Sequence, residues 1–483
     1  MPREKVSERA MGTEKSRTVE LAEFCTSLNF RDLPVEVVSM AKRLLLDALG
    51  CGLAGSTTEL GRAALRANSS LATATGRAHV IARDQPTAAE VAALVNAFYI
   101  NALDFDEDSC FGHPGASVAS ASLALTEEYK RDGAHLIAGI VAGYEASERI
   151  AASIWPSIDR ESDVWGIGVH QTLGAAASAF NMAQLSVRDA VEVLGLAGVM
   201  ASLPSAWQWN WGDRPLSWHK DSVAWAAFAG VQSLRLKQAG FQGPRRVLEG
   251  SRSLWRMSGS DQHDPDQLTA GLGTEWRILD SNIKPYSCCR WIHSILDATL
   301  EATAGKSLVA RDVTRIDVRG VDLIVEYDFL DATPRNIVDA EFSVNYAVAM
   351  VLLGIPPGPE WYLENQLRNP EVIGLASRVH YEVDDEATRS YLANRSCMPA
   401  RVLVTLASGN LLEGGAYFPR GGPERPLTKE FVESKFLRLS TSALGREASA
   451  ALLDMVSRTE SLEDVSSLFT FGLEAQGEGA VQS

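Results

Sequence analysis

Residues 34–50 read Pro34-Val-Glu-Val-Val-Ser-Met-Ala-Lys-Arg-Leu-Leu-Leu-Asp-Ala-Leu-Gly50, and this stretch indicates the fold class. Its apolar residues recur at helical spacing and it ends at a glycine, so it predicts an amphipathic helix. Similar patterns follow as far as about Arg256, at 88–103, 135–150, 170–183, 187–201 and 222–239. Small residues are dense in them, which allows helices to pack closely. We therefore predict a helical bundle rather than a doubly wound sheet.

The pattern changes after about Ser258. Three short stretches alternate apolar and polar residues with period two, which predicts strands at 313–320, 379–383 and 400–406. Helical spacing returns at 429–437 and 447–457. The predicted fold class is therefore mainly α. An all-α domain built from residues 19–278 and 413–476 would carry an inserted, smaller α+β unit at 279–412. Residues 1–18 predict a disordered lead-in and residues 477–483 a frayed tail.

Composition narrows the classes of partner. The 483 residues carry a formal charge of −16, from 61 acidic and 45 basic residues. An acidic surface repels nucleic acid and anionic membranes, so we expect neither as a partner. The sequence contains no run of about 18 apolar residues, so it predicts no membrane span. Six irregularly spaced cysteines without a CxxC pair favour a cytoplasmic setting over a disulfide framework or a zinc site.

One histidine follows a dense group of carboxylates. His113 comes shortly after Asp104, Asp106, Glu107 and Asp108. Such carboxylates can tune the pKa of a histidine or bind a metal ion. A calcium loop is excluded because glycine is missing at its sixth position and the terminal glutamate is absent. The alternative is a solvated acidic turn that caps the next helix, and the sequence leaves both interpretations open.

A second group of candidates lies at predicted helix starts. His170 begins an apolar helix, whose N-terminus would favour the neutral imidazole. A buried histidine bonded to the backbone is the alternative. His219 and Lys220 precede another helix, and Lys220 could neutralise a substrate carboxylate or be a solvated charge. His293 begins a helix of the second unit, so two histidines on different units suggest a cleft between them.

Several motifs together resemble the MmgE/PrpD family, which includes 2-methylcitrate dehydratase, cis-aconitate decarboxylase and iminodisuccinate epimerase. The resemblance runs from about Val19 to Leu473. Its anchors are stretches 96–106, His113-Pro114, Gly168-Val-His170, Gly240-Phe-Gln-Gly-Pro244, Leu248-Glu-Gly250, Lys284-Pro-Tyr-Ser-Cys-Cys289, His293 and Ala340-Glu-Phe-Ser-Val-Asn-Tyr-Ala-Val348.

This resemblance implies a helical domain with an inserted α+β lid, an active site between them, a homodimer, and no metal or organic cofactor. The site residues that it implies are Asp104, His113, His170, His293 and Tyr346. The family pattern also has a site lysine that aligns with His219-Lys220. Ungapped spacing aligns it with His219, whereas chemistry favours Lys220.

The chain also departs from the family pattern. Asn101 stands where many members have histidine, Ala97 where they have glycine, and Ser287 where they have proline. A segment at 205–217 contains Trp207, Trp209 and Trp211, which could reshape the pocket.

These observations predict an enzyme that abstracts a proton next to a carboxylate of a small di- or tricarboxylic acid. Such a step requires a base near neutral pKa and positive groups for the developing charge. His170 or His293 would be the base and the other the acid, Tyr346 would donate a proton, and Asp104 would orient His113. The predicted substrate-binding residues are Lys220, His219, Lys284, Arg290 and Asn101.

Dehydration is the preferred reaction because that activity is broad in the family. Decarboxylation and epimerisation are close alternatives. A non-catalytic carboxylate-binding protein of the same fold is a further alternative, permitted by Asn101. A metal-dependent hydrolase built on Asp104–Asp108 is the last.

Overall fold

The computed structural model describes residues 16–71, 75–109, 112–164, 166–202, 211, 213–220, 222–306 and 308–470. The fold is mainly α, as predicted. The predicted disordered lead-in ends too late, because Ser16 caps the first helix and Arg17 and Thr18 lie in it. Residues 1–15, the predicted tail, Trp207 and Trp209 lie outside the described residues.

The first part of the chain is helical. Its helices are α1 (Arg17–Ser27), α2 (Val35–Ser56), α3 (Glu59–Ala67), α4 (Ala89–Asn101), α5 (Pro114–Glu128), α6 (Gly133–Ile154), α7 (Ile158–Val164), α8 (Gly168–Met182), α9 (Val187–Met200), α10 (Val223–Gln238) and α11 (Leu254–Met257). A short antiparallel pair joins β1 (Ala78–His79) to β2 (Pro86–Thr87).

Small residues place the central helices close together. Helix α8 packs against α6, α10 and α5, and α4 packs against α10 and α5. A methyl group at Gly230 in α10 would lie 2.8 Å from the backbone nitrogen of Ala176 in α8. One at Gly174 would lie 2.8 Å from the carbonyl oxygen of Gly143 in α6. Larger side chains at these two crossings would force the helices apart, at a typical cost of about 1–3 kcal/mol.

The second part contains helices and a mixed sheet. Its helices are α12 (His293–Ala302), α13 (Leu323–Glu326), α14 (Ile337–Glu341), α15 (Val344–Leu352), α16 (Glu364–Leu367), α17 (Pro370–Ala376) and α18 (Asp385–Ala393). Its strands are β3 (Val313–Gly320), β4 (Val379–Val383), β5 (Ala400–Leu406) and β6 (Leu411–Ala416).

The sheet has the order β4-β3-β5-β6, with β3 parallel to β4 and the other pairs antiparallel. Helix α12 packs on β5 and β6. The three strands predicted from period-two alternation are confirmed. Short 3₁₀ helices connect elements throughout the chain, at Phe30–Asp32, Pro265–Leu268, Arg277–Asp280, Arg290–Ile292, Ala310–Asp312, Pro359–Tyr362 and Thr459–Ser461.

The C-terminal helices return to the first part. They are α19 (Lys429–Leu444), α20 (Arg446–Ser457) and α21 (Ser467–Thr470). Helix α19 packs along α2, where buried Lys435 lies 2.6 Å from Asp47 and donates to the carbonyl of Phe105 at 2.7 Å. This contact fixes the loop that follows α4, which carries the carboxylates singled out above. No helix in the described ranges is long and apolar enough to cross a membrane.

Candidate active site

Asp104 is the centre of a buried ionic cluster. It lies just after α4, and its positive φ of 46° is a conformation that Asp tolerates better than most residues. Its Oδ1 accepts from Nζ of Lys220 at 2.9 Å, and its Oδ2 accepts from Nζ of Lys284 at 3.0 Å. All three side chains are at most 2% exposed. We call Asp104, Lys220 and Lys284 the lysine–aspartate cluster.

Backbone pairing holds Lys284 opposite Asp104. Asp108 and Asn282 exchange two backbone hydrogen bonds, of 3.0 and 2.7 Å, which tie the loop after α4 to the segment before α12. The next residue, Ile283, donates to the carbonyl of Gly421. Gly421 has a φ of 106°, and a methyl group there would lie 2.0 Å from the carbonyl oxygen of Ile283. Glycine is therefore required where these two segments meet.

A different contact positions Lys220. Leu216, four residues earlier, donates its backbone N–H to Oδ1 of Asp339 and accepts from the side chain of Asn336. Both partners belong to α14 or its cap. The last residue of α14, Glu341, places its Oε2 2.6 Å from Nζ of Lys220. Lys220 is thus held between carboxylates of the first and second parts of the chain.

His113 extends the cluster on the side of Asp104. It precedes Pro114, the first residue of α5. Its Nδ1 lies 3.0 Å from the carbonyl of Glu107 and 3.3 Å from Oδ2 of Asp106, and its Nε2 lies 3.8 Å from Oδ1 of Asp104. Asn101 contacts this group through Asp106, donating to both of its carboxylate oxygens at 3.2 and 3.3 Å.

The pKa of His113 is raised to about 9. Burial and the charge of Lys284 favour the neutral ring, but Asp106 and Asp104 together outweigh them. Burial also acts against the ionised Asp104, yet Lys220 and Lys284 hold its pKa well below its ordinary value. The pKa of Lys284 is raised because the nearby aspartates, Asp104 first, outweigh burial. The cluster therefore presents cationic groups at neutral pH inside an acidic protein, as an anion site requires.

His293 has the opposite character. It is fully buried, with its Nε2 3.1 Å from the carbonyl of Cys288 and its Nδ1 3.3 Å from Nη1 of Arg290. A guanidinium only donates, so Nδ1 accepts and Nε2–H donates to Cys288. Burial, Arg290 and Lys284 lower the pKa of His293 well below its ordinary value. The ring is neutral, and both of its nitrogens are engaged.

Arg290 is anchored beside this ring. It donates to the carbonyl of Arg420 at 2.6 Å and to Oδ1 of Asn282 at 3.4 Å, and its Nε lies 3.9 Å from Asp108. Asn282 and Asp108 are the pair that positions Lys284. Arg290 and His293 therefore lie behind the lysine–aspartate cluster and support its geometry.

The other predicted site residues have different surroundings. His170 is buried near the start of α8, with its Nδ1 3.1 Å from Oγ of Ser147, and it lines a small cavity with Trp155 and Ser258. The buried hydroxyl of Tyr346 donates to the carbonyl of Trp361, and burial raises its pKa. His219 is exposed, and its ring packs 6.0 Å from that of Phe98.

The structure thus joins Asp104, His113, Lys220 and Lys284 directly, and Asn101 through Asp106. At the ambiguous position it places Lys220, not His219, against Asp104. Glu341 was missed by the sequence analysis, although it lies inside the quoted 340–348 motif. Neither the resemblance nor local periodicity gave this position a role.

The tryptophan-rich segment reaches this region through one described residue. Trp211 is buried and packs edge-on against Tyr327, Phe329 and Phe342. The ring of Phe342 lies 5.4 Å from Nζ of Lys220. Trp211 therefore contributes to the aromatic wall behind Lys220.

A groove of about 890 Å³ lies between α3 and the second part of the chain, and its lining includes Trp218, two residues before Lys220, but no residue of the lysine–aspartate cluster. Trp218 and Tyr362 line the groove, and Tyr362 donates to the carbonyl of Ser287. Arg335 lies on its rim and is exposed. Among the described side chains, no group of three or more His, Cys, Asp or Glu is placed to hold a metal ion.

Comparison with known proteins identifies the family. The sequence matches the MmgE/PrpD N-terminal domain over residues 19–266 and the MmgE/PrpD C-terminal domain over residues 286–461. It is 27% identical to the cis-aconitate decarboxylase of Homo sapiens, covering 94% of each chain. It is 25% identical to the cis-aconitate decarboxylase of Aspergillus terreus, covering 93% of this chain and 94% of that protein. It is 23% identical to the cis-aconitate decarboxylase-like protein oryM of Aspergillus oryzae, covering 94% and 97%. The resemblance drawn from the motifs is confirmed, and the chain is an enzyme of the MmgE/PrpD family.

Proposed function

We propose that this enzyme is a carboxy-lyase that removes CO₂ from an unsaturated tricarboxylate of the cis-aconitate type. The three relatives reported above are named for cis-aconitate decarboxylase or a protein like it, and each aligns over nearly its whole length. This support ranks decarboxylation ahead of the dehydration that the motifs alone favoured.

The reaction itself sets requirements on the site. Breaking the bond to a carboxylate carbon releases CO₂ and leaves an electron pair on the substrate. In an allylic tricarboxylate that pair forms a new double bond, and the far carbon of the old double bond takes a proton. A trianion and one proton thus give CO₂ and a dianion. The site must therefore bind several carboxylates and supply one proton to carbon.

The observation that carries the proposal is the cationic group around Asp104. Lys220 and Lys284 supply two buried ammonium groups for substrate carboxylates. His113, with a pKa raised to about 9, is protonated at neutral pH and can donate the proton. Asp104 and Asp106 keep the ring charged, and Asn101 orients Asp106. In this scheme His113 is the acid.

The remaining site residues keep supporting roles in the proposal. The neutral ring of His293 and the guanidinium of Arg290 position the segment that carries Lys284. His170 and Tyr346 stay predicted catalytic residues on the strength of the resemblance, and their local contacts are with Ser147 and Trp361. The groove with Arg335 on its rim is the proposed path for the anionic substrate, and the second part of the chain is the proposed lid.

The assembly and location follow the resemblance. We propose a homodimer acting in the cytoplasm on a small anionic substrate, without nucleic acid, membrane or metal. Light scattering coupled to size-exclusion chromatography would give the mass in solution, which is expected at twice the 52.2 kDa of one chain.

The test is incubation of the purified protein with cis-aconitate in deuterated water, followed by NMR and CO₂ measurement. The proposal predicts equal amounts of CO₂ and of a five-carbon dicarboxylate carrying one deuterium on carbon. Parallel reactions with 2-methylcitrate test the hydro-lyase. Hydration or dehydration products without CO₂ would overturn the proposal, and deuterium exchange without CO₂ would indicate an epimerase. Thermal stabilisation by cis-aconitate without any product would indicate a binding protein.

A further inference from the structure

Glu341 is a buried carboxyl group within the site that the proposed reaction does not use. It ends α14, is fully buried, and has its Oε2 2.6 Å from Nζ of Lys220. Its backbone carbonyl accepts from the N–H of Cys289 at 2.9 Å, in the segment that carries Lys284. Its position is therefore held from two sides.

One oxygen of this carboxyl group has no internal partner. Oε1 of Glu341 is buried and accepts no hydrogen bond from any described residue. Buried polar atoms are almost always satisfied, and those left over mark places where a ligand or a proton belongs. The other oxygen, Oε2, pairs with the ammonium group of Lys220 that is proposed to bind substrate, so a carboxylate held by Lys220 would lie close to Oε1.

The surroundings of Glu341 contain both signs of charge. The groups that face it are Lys220, Asp104, Lys284, Tyr362 and Cys288. Burial raises the pKa of Glu341 most, Lys220 acts against it, and Asp104 adds to it, giving a value of about 8. The carboxyl group is therefore mostly neutral at pH 7 and about half ionised at pH 8.

We propose that Glu341 is a further substrate-binding residue, which presents a neutral carboxyl group beside Lys220 when a polycarboxylate is bound. This inference rests on the proposed function. A neutral carboxyl group donates its O–H to one substrate carboxylate and no longer offsets the charge of Lys220, which keeps its bond to Asp104 and can attract a second substrate carboxylate. An ionised Glu341 repels the substrate and competes for Lys220.

The proposal couples binding to protonation. A bound tricarboxylate adds negative charge beside Glu341, so any ionised Glu341 takes a proton from the solvent as the ligand enters. Affinity is then highest below pH 8 and falls as the pH rises through the pKa of the empty enzyme. Between pH 7 and pH 9 this group alone weakens binding by about tenfold, because about nine-tenths of it is ionised at pH 9.

Isothermal titration calorimetry with tricarballylate, a saturated tricarboxylate that lacks the reacting double bond, tests this directly. Titrations at pH 8 in two buffers of different ionisation enthalpy give the protons taken up per ligand. Wild-type protein is expected to take up about half a proton more than Glu341→Gln. The tenfold fall in affinity between pH 7 and pH 9 should be lost in that variant.

Glu148→Gln is the matched control. Glu148 in α6 is also buried, and burial raises its pKa to about 8, but the groups acting on it are Ser109, Asp280, Glu145 and Arg277, none of which belongs to the lysine–aspartate cluster. This variant should keep the wild-type proton uptake and pH dependence. Equal proton uptake in wild type and Glu341→Gln would overturn the inference. A proton uptake of zero in wild type would also overturn it, and that measurement does not depend on whether any variant folds.

The failure of the inference and that of the proposed function are distinguishable. Binding of tricarballylate with unchanged proton uptake in Glu341→Gln rejects the role of Glu341 alone. If neither tricarballylate nor cis-aconitate binds the wild-type protein, the proposed function is wrong and the inference is wrong with it.

Discussion

His113 and His293 occupy similar places and have opposite chemistry. Each stands at the start of a helix, and Lys284 lowers the pKa of both. The side chain of His113 is 13% exposed and His293 is fully buried. Asp106 and Asp104 reverse this effect at His113, whereas Arg290 adds to it at His293. Position at a helix N-terminus therefore does not decide whether a histidine is an acid. The sign of the charge within about 4 Å decides it.

The largest expected effect is a difference in kcat between variants of His113 and His293. His113→Asn should lower kcat for CO₂ release by about 10²–10⁴-fold, because it removes the proposed proton donor. His293→Asn should cost less in kcat, since the ring is neutral and both of its nitrogens are used internally. Steady-state assays of both variants check this, with circular dichroism to confirm folding. A larger kcat loss in His293→Asn would reverse the assignment.

The charge at the centre of the cluster is tested by Asp104→Asn. Without the carboxylate, Lys220 and Lys284 remain buried and face each other, so we expect the free energy of unfolding to fall by about 3–5 kcal/mol. Denaturant unfolding measures this. Asp454→Asn removes an exposed pair with Arg458 and should cost under about 1 kcal/mol. Similar losses in the two variants would contradict a buried ionic cluster.

The origin of the high His113 pKa is tested by Asp106→Asn. The acid form of His113 is the active one, so kcat/KM in wild type should fall as the pH rises through about 9. The fall near pH 8 that is proposed for Glu341 is separate and should not move in this variant. Removing Asp106 lowers the pKa of the ring, so this fall should move to lower pH. A pH–rate profile in both proteins gives the shift. An unmoved basic limb would show that Asp106 does not hold the proton on the ring.

Protonation of His113 should also be visible in stability. The pKa of His113 in the folded protein is above its unfolded value of about 6.5. Protonated His113 therefore adds its full contribution to the free energy of unfolding below about pH 6.5, and this contribution is lost as the pH rises towards about 9. Thermal unfolding of wild type and His113→Asn across this window measures the contribution. The difference between them should shrink with rising pH, and a constant difference would contradict the assignment.

The smallest effect concerns approach to the site. Arg335→Glu reverses an exposed charge on the rim of the groove, so kcat/KM should fall a few-fold at low salt with kcat unchanged. The effect should fade in high salt because the charge is exposed. Arg319→Glu, exposed on β3, is the control and should leave kcat/KM unaltered.

The sequence predicted the elements well where the signal is local. Helical spacing located α2, and period-two alternation located β3, β4 and β5. The contacts of the site are not local. Lys220 and Lys284 are 116 and 180 residues from Asp104, so no spacing rule joins them. The family resemblance implied that Asp104 and a lysine at 219–220 belong to one site, and the chemistry of the reaction added Lys284.

The finer chemistry of the site depended on three-dimensional contacts. The neutral tautomer of His293 follows from its orientation towards Arg290 and Cys288, which periodicity does not report. Glu341 was not predicted because nothing in the local sequence indicates that this glutamate is buried. The choice between His219 and Lys220 depends on how Leu216, four residues before Lys220, is bonded to Asp339, and the sequence does not show this contact.

The central claim is that His113 carries a proton at neutral pH while His293 does not. Nitrogen-15 NMR of histidine-labelled protein measures both, with His113→Asn and His293→Asn used to assign the signals. The account predicts that His113 is doubly protonated at pH 7 and titrates near pH 9, and that His293 stays neutral with the proton on Nε2. A His113 ring that is neutral at pH 7, or a cationic His293, would contradict it.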